Sequence, residues 1–269
     1  MTNAETKLTA VIGSPVKHSL SPLLHNTIYA RQKIDAIMMA FENDSIETLV
    51  NVMRSLPIHL TAVTIPFKQS VIPLLDEIDM VAKKIGAVNT VINKNGILHG
   101  HNTDFVGIAK SLEKVKLRGK KVLVMGAGGA ARPAAFHLSK VGAEMYCYNR
   151  SRENAETLCA DFGGTVIEDL TTIPFDVIIN TTPIGMSPDT RVSPISASII
   201  RPGSTVFDIV YNPLETQLLK DAKKRRAKTI SGLTMFVAQA LEQERLWLGK
   251  SIKDSGYERL LKMHLTKKK

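Results

Sequence analysis

The sequence predicts a two-domain α/β protein built on parallel sheets. Its 269 residues exceed the roughly 100 to 200 residues of an ordinary domain. From Leu8 onward, apolar strand-like runs alternate with helix-like segments, which is typical of parallel-sheet architecture. A glycine-rich turn beginning at Gly126 directly follows one of these apolar runs. We therefore expect an N-terminal α/β domain and a doubly wound, Rossmann-type nucleotide domain.

Strands and helices alternate through the N-terminal part of the chain. Ser21 is expected to cap the first helix, because its side-chain oxygen can accept an orphan backbone N–H, and Pro22 at the first helical position needs no such partner. Asp44 or Ser45 is expected to cap the second helix, and Pro66 to stop the third strand. The predicted strands are Thr9–Gly13, Ala36–Phe41 and Leu60–Ile65, and the predicted helices are Ser21–Gln32 and Asp44–Ser55.

An Asn95-Gly96 pair predicts a β-hairpin, since this dipeptide favours the tight turns that join antiparallel strands. An amphipathic helix is expected over Phe105–Lys114, and the basic connector Lys116–Lys121 marks a domain boundary. The hairpin strands are Val88–Ile92 and Gly96–His101; the later strands are Lys121–Met125, Glu144–Tyr148, Asp176–Asn180, Thr205–Val210 and Lys228–Ile230, before a helix over Leu233–Leu248.

Composition and charge narrow the function classes. The 44% apolar and 22% charged residues predict a globular chain, and no run approaches the roughly 18 apolar residues of a membrane span. The N-terminus lacks a signal-peptide pattern, so we expect a cytoplasmic protein with no membrane partner. The net charge of +10 is concentrated in Lys220–Lys228 and Lys267–Lys269, without interleaved aromatic residues. This distribution favours solvated surface over a nucleic-acid site.

Cysteine and histidine spacing predicts neither disulfides nor a metal site. The two cysteines, Cys147 and Cys159, form no CxxC pair and are expected to be reduced. No carboxylate or second histidine stands at a ligand spacing beside the seven histidines.

The turn after Lys121–Met125 predicts dinucleotide binding. Gly126 permits the tight turn, Gly128 lets the backbone approach a pyrophosphate at the helix N-terminus, and Ala131 allows close helix–strand packing. At the end of the next strand, 23 residues after Gly126, NAD sites usually carry an acidic residue, but this chain has Asn149-Arg-Ser-Arg152. Two guanidiniums and a hydroxyl suit a 2′-phosphate, so NADP is the predicted cofactor.

Four polar clusters follow strands outside the nucleotide unit, where open α/β sheets bind ligands. Ser19 and Ser21 stand at a helix N-terminus that could hold a carboxylate. Lys68 and Asp104 make an acid–base pair for moving a proton to or from an alcohol while hydride moves at the nicotinamide. The clusters are His18–Pro22, Thr64–Lys68, Asn89-Thr90 and Asn102–Asp104.

These motifs, taken together, resemble the shikimate dehydrogenase family over almost the whole chain and in the right order. The matching segments are His18–Pro22, Val63–Lys68, Gly86–Thr90, Asn102–Asp104, Gly126–Arg132, Asn149-Arg150, Asn180–Met186, Tyr211–Pro213 and Gly232–Gln239. The resemblance implies reversible reduction of 3-dehydroshikimate to shikimate by NADPH, a step of chorismate and aromatic amino acid biosynthesis.

The resemblance also implies roles for individual residues. Ser19, Ser21 and Tyr211 would bind the substrate carboxylate, and Lys68 would exchange the proton with Asp104 as its partner. The implied substrate residues are Ser19, Ser21, Thr64, Lys68, Asn89, Asp104, Tyr211 and Gln239, of which Lys68, Asn89, Asp104 and Gln239 would contact the ring oxygens. The implied cofactor residues are Gly126, Ala127, Gly128, Gly129, Ala130, Asn149, Arg150, Ser151, Arg152, Ile209 and Gly232.

The same resemblance implies the domain layout and leaves alternatives open. Residues 1–104, completed by 238–269, would form the substrate domain, residues 105–237 the NADP domain, and a cleft would separate them. Ala62 and Phe105 depart from commoner residues on the substrate side and could shift preference toward quinate. The rivals are an NAD(P)-linked quinate/shikimate dehydrogenase and a catalytically silent NADPH-sensing regulator. The expected partner is the small-molecule substrate, and the expected state is a monomer or homodimer.

Overall fold

The computed structural model describes residues 2–267, apart from the side chain of residue 267; of the predicted basic terminus, the other two lysines lie outside the described residues. The strands are β1 Lys7–Gly13, β2 Ala36–Glu42, β3 Ile58–Val63, β4 Glu77–Ile78, β5 Thr90–Lys94, β6 Ile97–His101, β7 Lys121–Met125, β8 Glu144–Tyr148, β9 Thr165–Val166, β10 Val177–Asn180, β11 Thr205–Asp208 and β12 Lys228–Ser231.

The helices alternate with these strands along most of the chain. They are α1 Ser21–Gln32, α2 Ile46–Ser55, α3 Met80–Ile85, α4 Asp104–Leu112, α5 Ala131–Val141, α6 Arg152–Phe162, α7 Gln217–Lys224, α8 Leu233–Leu248 and α9 Tyr257–Lys267, with 3₁₀ turns at Ile72–Leu74 and Ala197–Ile199. None of the helices in the described part of the chain is long and apolar enough to cross a membrane.

The described residues divide into two compact units. The first comprises residues up to Asp104 together with Val237–Tyr257, and the second comprises Phe105–Phe236 together with the residues from Glu258 onward. The last helix therefore falls almost wholly with the second unit, whereas the predicted layout placed it with the first. The domain division given above stays a prediction.

The first unit contains a mixed six-stranded sheet in the order β2-β1-β3-β5-β6-β4. β1 pairs with β2 and β3 in parallel, whereas β3, β5 and β6 are antiparallel to one another in turn. Asn95 and Gly96 both adopt positive φ, at 55° and 90°, so the predicted hairpin turn is confirmed. Helix α2 presents Leu49, Val50 and Met53 to a core shared with Ile12 and Val63.

Strand β2 is an outer strand of this sheet, and one side chain occupies its open side. The Asn26 amide of α1 accepts a hydrogen bond from the Met38 backbone N–H at 2.7 Å and donates to the Met38 carbonyl at 3.0 Å. Both backbone groups are thereby satisfied by a side chain in place of a neighbouring strand.

The second unit contains a parallel six-stranded sheet in the order β12-β11-β10-β7-β8-β9. Val122 and Val124 face a core formed with α4, α5 and α6, whereas Leu123 and Met125 face a core formed with α7 and the Ala197–Ile199 turn. Both faces are covered, so the predicted doubly wound fold is confirmed. The strand order reverses between β7 and β10, which directs ligands to the carboxyl ends of the strands there.

Both cysteines, Cys147 and Cys159, are free thiols.

Helix capping agrees with the sequence in one case and differs in another. Ser45 caps α2 by accepting a hydrogen bond from the Thr48 N–H, as one of the two predicted choices. The prediction that Ser21 caps α1 is wrong, because the N-cap residue is Leu20 and Ser21 lies inside the helix. Instead, the Ser19 hydroxyl accepts a hydrogen bond from the Ser21 N–H at 3.2 Å. A serine two residues earlier thus supplies the acceptor that the helix start needs.

Candidate active site

Lys68 and Asp104 form an ion pair in the first unit, although 36 residues separate them in the chain. The Lys68 Nζ lies 2.6 Å from Asp104 Oδ2, and the two side chains are 14% and 5% exposed. Lys68 follows β3 in a tight turn, and its carbonyl accepts a hydrogen bond from the Val88 N–H. Asp104 opens helix α4. The pair is shielded from most water but is not sealed, so a substrate hydroxyl could reach the ammonium.

Asn89 connects this pair to the surrounding polar side chains. Its Nδ2 donates to the other Asp104 oxygen, Oδ1, at 2.9 Å and lies 3.3 Å from the Gln239 Oε1. Its Oδ1 accepts hydrogen bonds from the Thr103 N–H at 2.7 Å and the Thr90 hydroxyl at 2.9 Å. Because Lys68 and Asn89 bind different oxygens of Asp104, the carboxylate is fixed in orientation as well as in position.

The other predicted substrate residues of the first unit lie at strand ends. Ser19 is partly exposed beside the start of α1, and Ser21 is buried in its first turn. Thr64 follows β3, and its carbonyl accepts a hydrogen bond from the Phe67 N–H. Gln239 is buried on α8. The first unit therefore holds seven of the eight residues predicted to contact substrate; Tyr211 belongs to the second unit.

The turn after β7 has the geometry that a pyrophosphate needs. Gly126 has φ of 102°, and a Cβ there would lie 2.7 Å from Thr181 Oγ1, so a side chain is excluded. A Cβ at Gly128 would meet no atom within 4 Å, which leaves its backbone open to a ligand. Helix α5 then starts at Ala131 with no side-chain cap, and the N–H groups of Ala131 and Arg132 both donate to the Gly128 carbonyl. These features fit a bound dinucleotide.

The side chains after β8 differ in whether their polar groups already bind other residues. Asn149 Nδ2 donates to the Ser151 carbonyl at 2.8 Å, and Ser151 caps α6. Arg152 donates to Glu156 at 2.8 Å and also binds Glu168. Arg150 is exposed, and among the described residues it has no ion-pair partner. Of the two guanidiniums predicted to meet a 2′-phosphate, Arg150 is therefore the available one.

A buried carboxylate supports the loop that follows β11. Asp208 accepts hydrogen bonds from the Thr216 hydroxyl at 2.6 Å, the Asn180 amide at 2.9 Å and the Val210 N–H at 3.1 Å. Burial raises the pKa of Asp208 to about 6, although these three hydrogen bonds lower it.

The segment supported by Asp208 carries two of the residues predicted to act at the cofactor and the substrate. A Cβ at Gly232 would lie 1.9 Å from the Ile209 carbonyl oxygen, so the two backbones touch and no side chain fits. The Tyr211 ring stacks on Phe236 with 4.2 Å between ring centroids. Ile209 and Tyr211 therefore lie in a closely supported segment.

Comparison with known proteins decides the family. Residues 11–91 match the model of the shikimate dehydrogenase substrate binding domain, and residues 107–187 match that of shikimate / quinate 5-dehydrogenase. The NADP(+) shikimate dehydrogenase of Methanosphaera stadtmanae is 40% identical, covering 98% of this chain and 99% of its own. The chain belongs to the shikimate dehydrogenase family.

Solved structures of shikimate dehydrogenases agree with this assignment. The enzyme from Aquifex aeolicus superposes with a TM-score of 0.91 at 38% identity, covering 97% of this chain and 99% of its own. The enzyme from Thermus thermophilus, in complex with NADP(H) and shikimate, superposes with a TM-score of 0.86 at 32% identity, covering 94% and 97%. The resemblance drawn from the motifs, and the fold that it implies, are confirmed.

Three residues that support this shikimate dehydrogenase site were given no role from the sequence: Thr90 and Thr103 stood within the predicted polar clusters, and Gln243 was not named. Thr90 and Thr103 each adjoin a predicted residue, and Gln243 stands one helical turn after Gln239 on α8. Spacing of four residues on a helix would have pointed to Gln243. Phe105, expected on the substrate side, packs edge-to-face on Phe136 in the second unit with 5.3 Å between centroids.

Proposed function

We propose that this protein is a shikimate dehydrogenase that reversibly reduces 3-dehydroshikimate to shikimate with NADPH, in aromatic amino acid biosynthesis. The Lys68–Asp104 pair carries the proposal, since it offers a proton donor and its counter-charge in a largely water-excluded position. Curated relatives of nearly equal length are NADP(+) shikimate dehydrogenases, which supports both substrate and cofactor.

The proposed chemistry assigns the proton to Lys68. NADPH, when bound, supplies the hydride. The Lys68 ammonium donates its proton to the oxygen of the substrate carbonyl as this oxygen gains negative charge, and in the reverse direction the amine accepts the proton of the hydroxyl. Asp104 keeps Lys68 oriented and balances its charge in the low-dielectric site.

We propose that different side chains bind the carboxylate and the ring of the substrate. Ser19, Ser21 and Tyr211 would bind the carboxylate, while Asn89, Gln239 and Thr64 would act with the catalytic pair on the ring side. Asn89 already donates to Asp104, so its main contribution would be to hold that carboxylate in place. Ser19 accepts a backbone hydrogen bond, which leaves its hydroxyl proton to donate.

Cofactor recognition is proposed to combine backbone and charge. The backbone from Gly126 to Ala130 would bind the pyrophosphate, and Asn149, Arg150 and Ser151 would bind the 2′-phosphate. Arg152 would contribute less than Arg150, because two carboxylates hold it. Ile209 and Gly232 would lie near the nicotinamide.

The test is an initial-rate assay at the NADPH absorbance band with shikimate and quinate, each offered against NADP and NAD. Activity with shikimate and NADP is expected to exceed the other combinations by at least tenfold. Comparable rates with quinate and NAD would identify the broader quinate/shikimate activity. Tight NADPH binding without turnover of either substrate would support the silent regulator and overturn the proposal.

Location and assembly are proposed on the sequence alone. We expect a cytoplasmic protein that is a monomer or homodimer, does not bind nucleic acid, and divides at residues 104/105 and 237/238. Cell fractionation, light scattering, a DNA-binding titration at physiological salt and limited proteolysis would check these four expectations in turn.

A further inference from the structure

Gln243 lies behind the catalytic pair, on the same face of α8 as Gln239 and one helical turn later. Its side chain is buried, and the residue is 1% exposed. The Gln243 Nε2 donates to the Thr90 hydroxyl at 3.0 Å and to the Asn89 carbonyl oxygen at 3.3 Å. Both acceptors belong to the turn that enters β5 and carries the Asn89 side chain to Asp104.

A continuous line of buried hydrogen bonds leads from Gln243 to Lys68. The Thr90 hydroxyl donates to Asn89 Oδ1 at 2.9 Å, Asn89 Nδ2 donates to Asp104 Oδ1 at 2.9 Å, and Asp104 Oδ2 accepts from Lys68 at 2.6 Å. Thr90 and Asn89 are 0% and 2% exposed, so water does not compete for these partners.

Gln243 helps to decide which group donates and which accepts in each hydrogen bond of this line. A backbone carbonyl only accepts, so the Gln243 group that faces the Asn89 carbonyl must be the NH₂ group. That NH₂ also donates to Thr90, which turns the single hydroxyl proton of Thr90 toward the Asn89 Oδ1. Together with the Thr103 N–H, which donates to the same Oδ1, this proton makes the Asn89 amide present its NH₂ group, and not its oxygen, to the Asp104 carboxylate.

Loss of Gln243 would weaken the hydrogen bonds of this line in turn, from Thr90 to Asn89 to Asp104. The Thr90 hydroxyl also lies 3.2 Å from the Thr103 hydroxyl and could turn to it. Asn89 would then lose one of the donors that hold its amide oxygen, and Asp104 would be held less firmly toward Lys68.

We propose that Gln243 is a positioning residue for the reaction, acting through Thr90 and Asn89 to orient the Asp104 carboxylate toward Lys68. It does not need to touch the substrate. This inference rests on the proposed function for its kinetic test, but its structural content can be measured without turnover.

The kinetic test uses two substitutions that break the line at successive points. Gln243→Leu and Thr90→Val are each expected to lower kcat about 10-fold, with the KM for NADP changed less than twofold. Thr90→Ser keeps the hydroxyl and should restore kcat to within about threefold of the original. The double variant should lose no more than the worse single variant, because both changes interrupt one path.

Glu244→Gln is the matched control at the next position of the same helix. It weakens a buried pair with His25, both side chains being 0% exposed, and this pair is outside the line to Lys68. We expect it to lower thermal stability while keeping kcat. A Gln243→Leu protein that loses stability but retains full kcat would overturn the proposal, as would fully additive losses in the double variant. If Gln243→Leu does not fold, the Thr90→Val and Thr90→Ser pair decides.

Solvent exchange of the Asn89 side-chain NH₂ protons, followed by NMR, tests the inference in the absence of substrate. Exchange is expected to accelerate at least tenfold in Gln243→Leu and to stay unchanged in Glu244→Gln. Unchanged exchange in Gln243→Leu would overturn the positioning role. An inactive wild-type protein with this exchange pattern would overturn the proposed function alone.

Discussion

The two units build their sites from different materials. In the first unit, buried side chains hold one another in place, and Asp104 is bound by Lys68 and Asn89 at once. In the second unit, the predicted cofactor edge consists of backbone at Gly126 and Gly128 and of one exposed guanidinium, Arg150. The charge differs as well, with 12 basic and 12 acidic residues in the first unit against 23 and 13 in the second.

This difference follows from what each site has to do. A proton-transfer group needs a fixed position relative to the reacting carbon of a small ring, and buried hydrogen bonds provide it. A dinucleotide phosphate is a large anion that backbone N–H groups and net positive charge attract without tight side-chain placement. Substitutions in the first unit should therefore affect turnover, and those at the cofactor edge should affect cofactor affinity.

The largest effect is expected at Lys68. Lys68→Met keeps the aliphatic stem and removes the ammonium, so no group remains to exchange the proton, and kcat should fall about 10³-fold. NADPH affinity, measured by fluorescence titration, should stay within twofold. A variant retaining more than a tenth of the activity would contradict the role of Lys68 and the contrast between the units.

Asp208 is expected to give the second unit a pH-dependent stability. Its folded pKa of about 6 lies above the usual value of 3.8, so the folded state holds more protons between these values. The free energy of unfolding should therefore fall as pH rises through this window, by about 3 kcal/mol, and then stay level.

The Asp208 prediction can be checked by chemical denaturation at pH 4.5 and 7.5. Asp208→Asn removes the titrating group and should flatten the difference, while the amide keeps hydrogen-bonding capacity toward Thr216. A wild-type protein that becomes more stable across this range would show that other carboxylates dominate.

Arg150 tests the charge contribution at the cofactor edge. Arg150→Ala removes the available guanidinium, and because a charge-assisted hydrogen bond contributes about 1.5 to 3 kcal/mol, NADP affinity should fall roughly 10- to 100-fold. NAD affinity should change less than threefold. Isothermal titration with both cofactors measures the split, and equal losses would exclude recognition of the 2′-phosphate by Arg150.

Arg152 is the matched control and should give the smallest effect. Its guanidinium binds Glu156 and Glu168 at exposed positions, where ion pairs contribute little. Arg152→Ala should change NADP affinity less than threefold in the same titration. A loss as large as that of Arg150→Ala would show that Arg152 leaves its carboxylates for the cofactor.

The accuracy of the sequence predictions depended on how much chain each feature spans. Strands β7 and β8 were predicted to the residue: β7 is an almost continuous apolar run buried on both faces, and β8 buries alternate residues, Met145 and Cys147. The two-residue strands β4 and β9 were missed, since two residues carry no period. The return of α8 to the first unit came from family resemblance, because periodicity does not tell which unit a helix joins.

Within the site, the sequence indicated the residues that transfer the proton but not the residues that hold them in place. Lys68 and Asp104 stood out as an acid–base pair, but Thr90 and Gln243 are common residue types whose importance arises from their partners. Ser21 does not act as the predicted cap because the helix already begins at Ser21, whose own N–H donates to the Ser19 hydroxyl. Which of two nearby hydroxyls binds at a helix start depends on local backbone angles that the sequence does not specify.

The Asn26 amide bears on how copies of this protein can meet. An uncovered outer strand is a template on which another chain can extend the sheet, and β2 carries no proline and only one charged residue, Glu42 at its end, to discourage it. By saturating Met38, the side chain of Asn26 ends the sheet at that point. A second chain that extends this sheet across Met38 would therefore first have to displace this amide. The same residue that completes the edge of the sheet thus removes one backbone pairing position from a second chain.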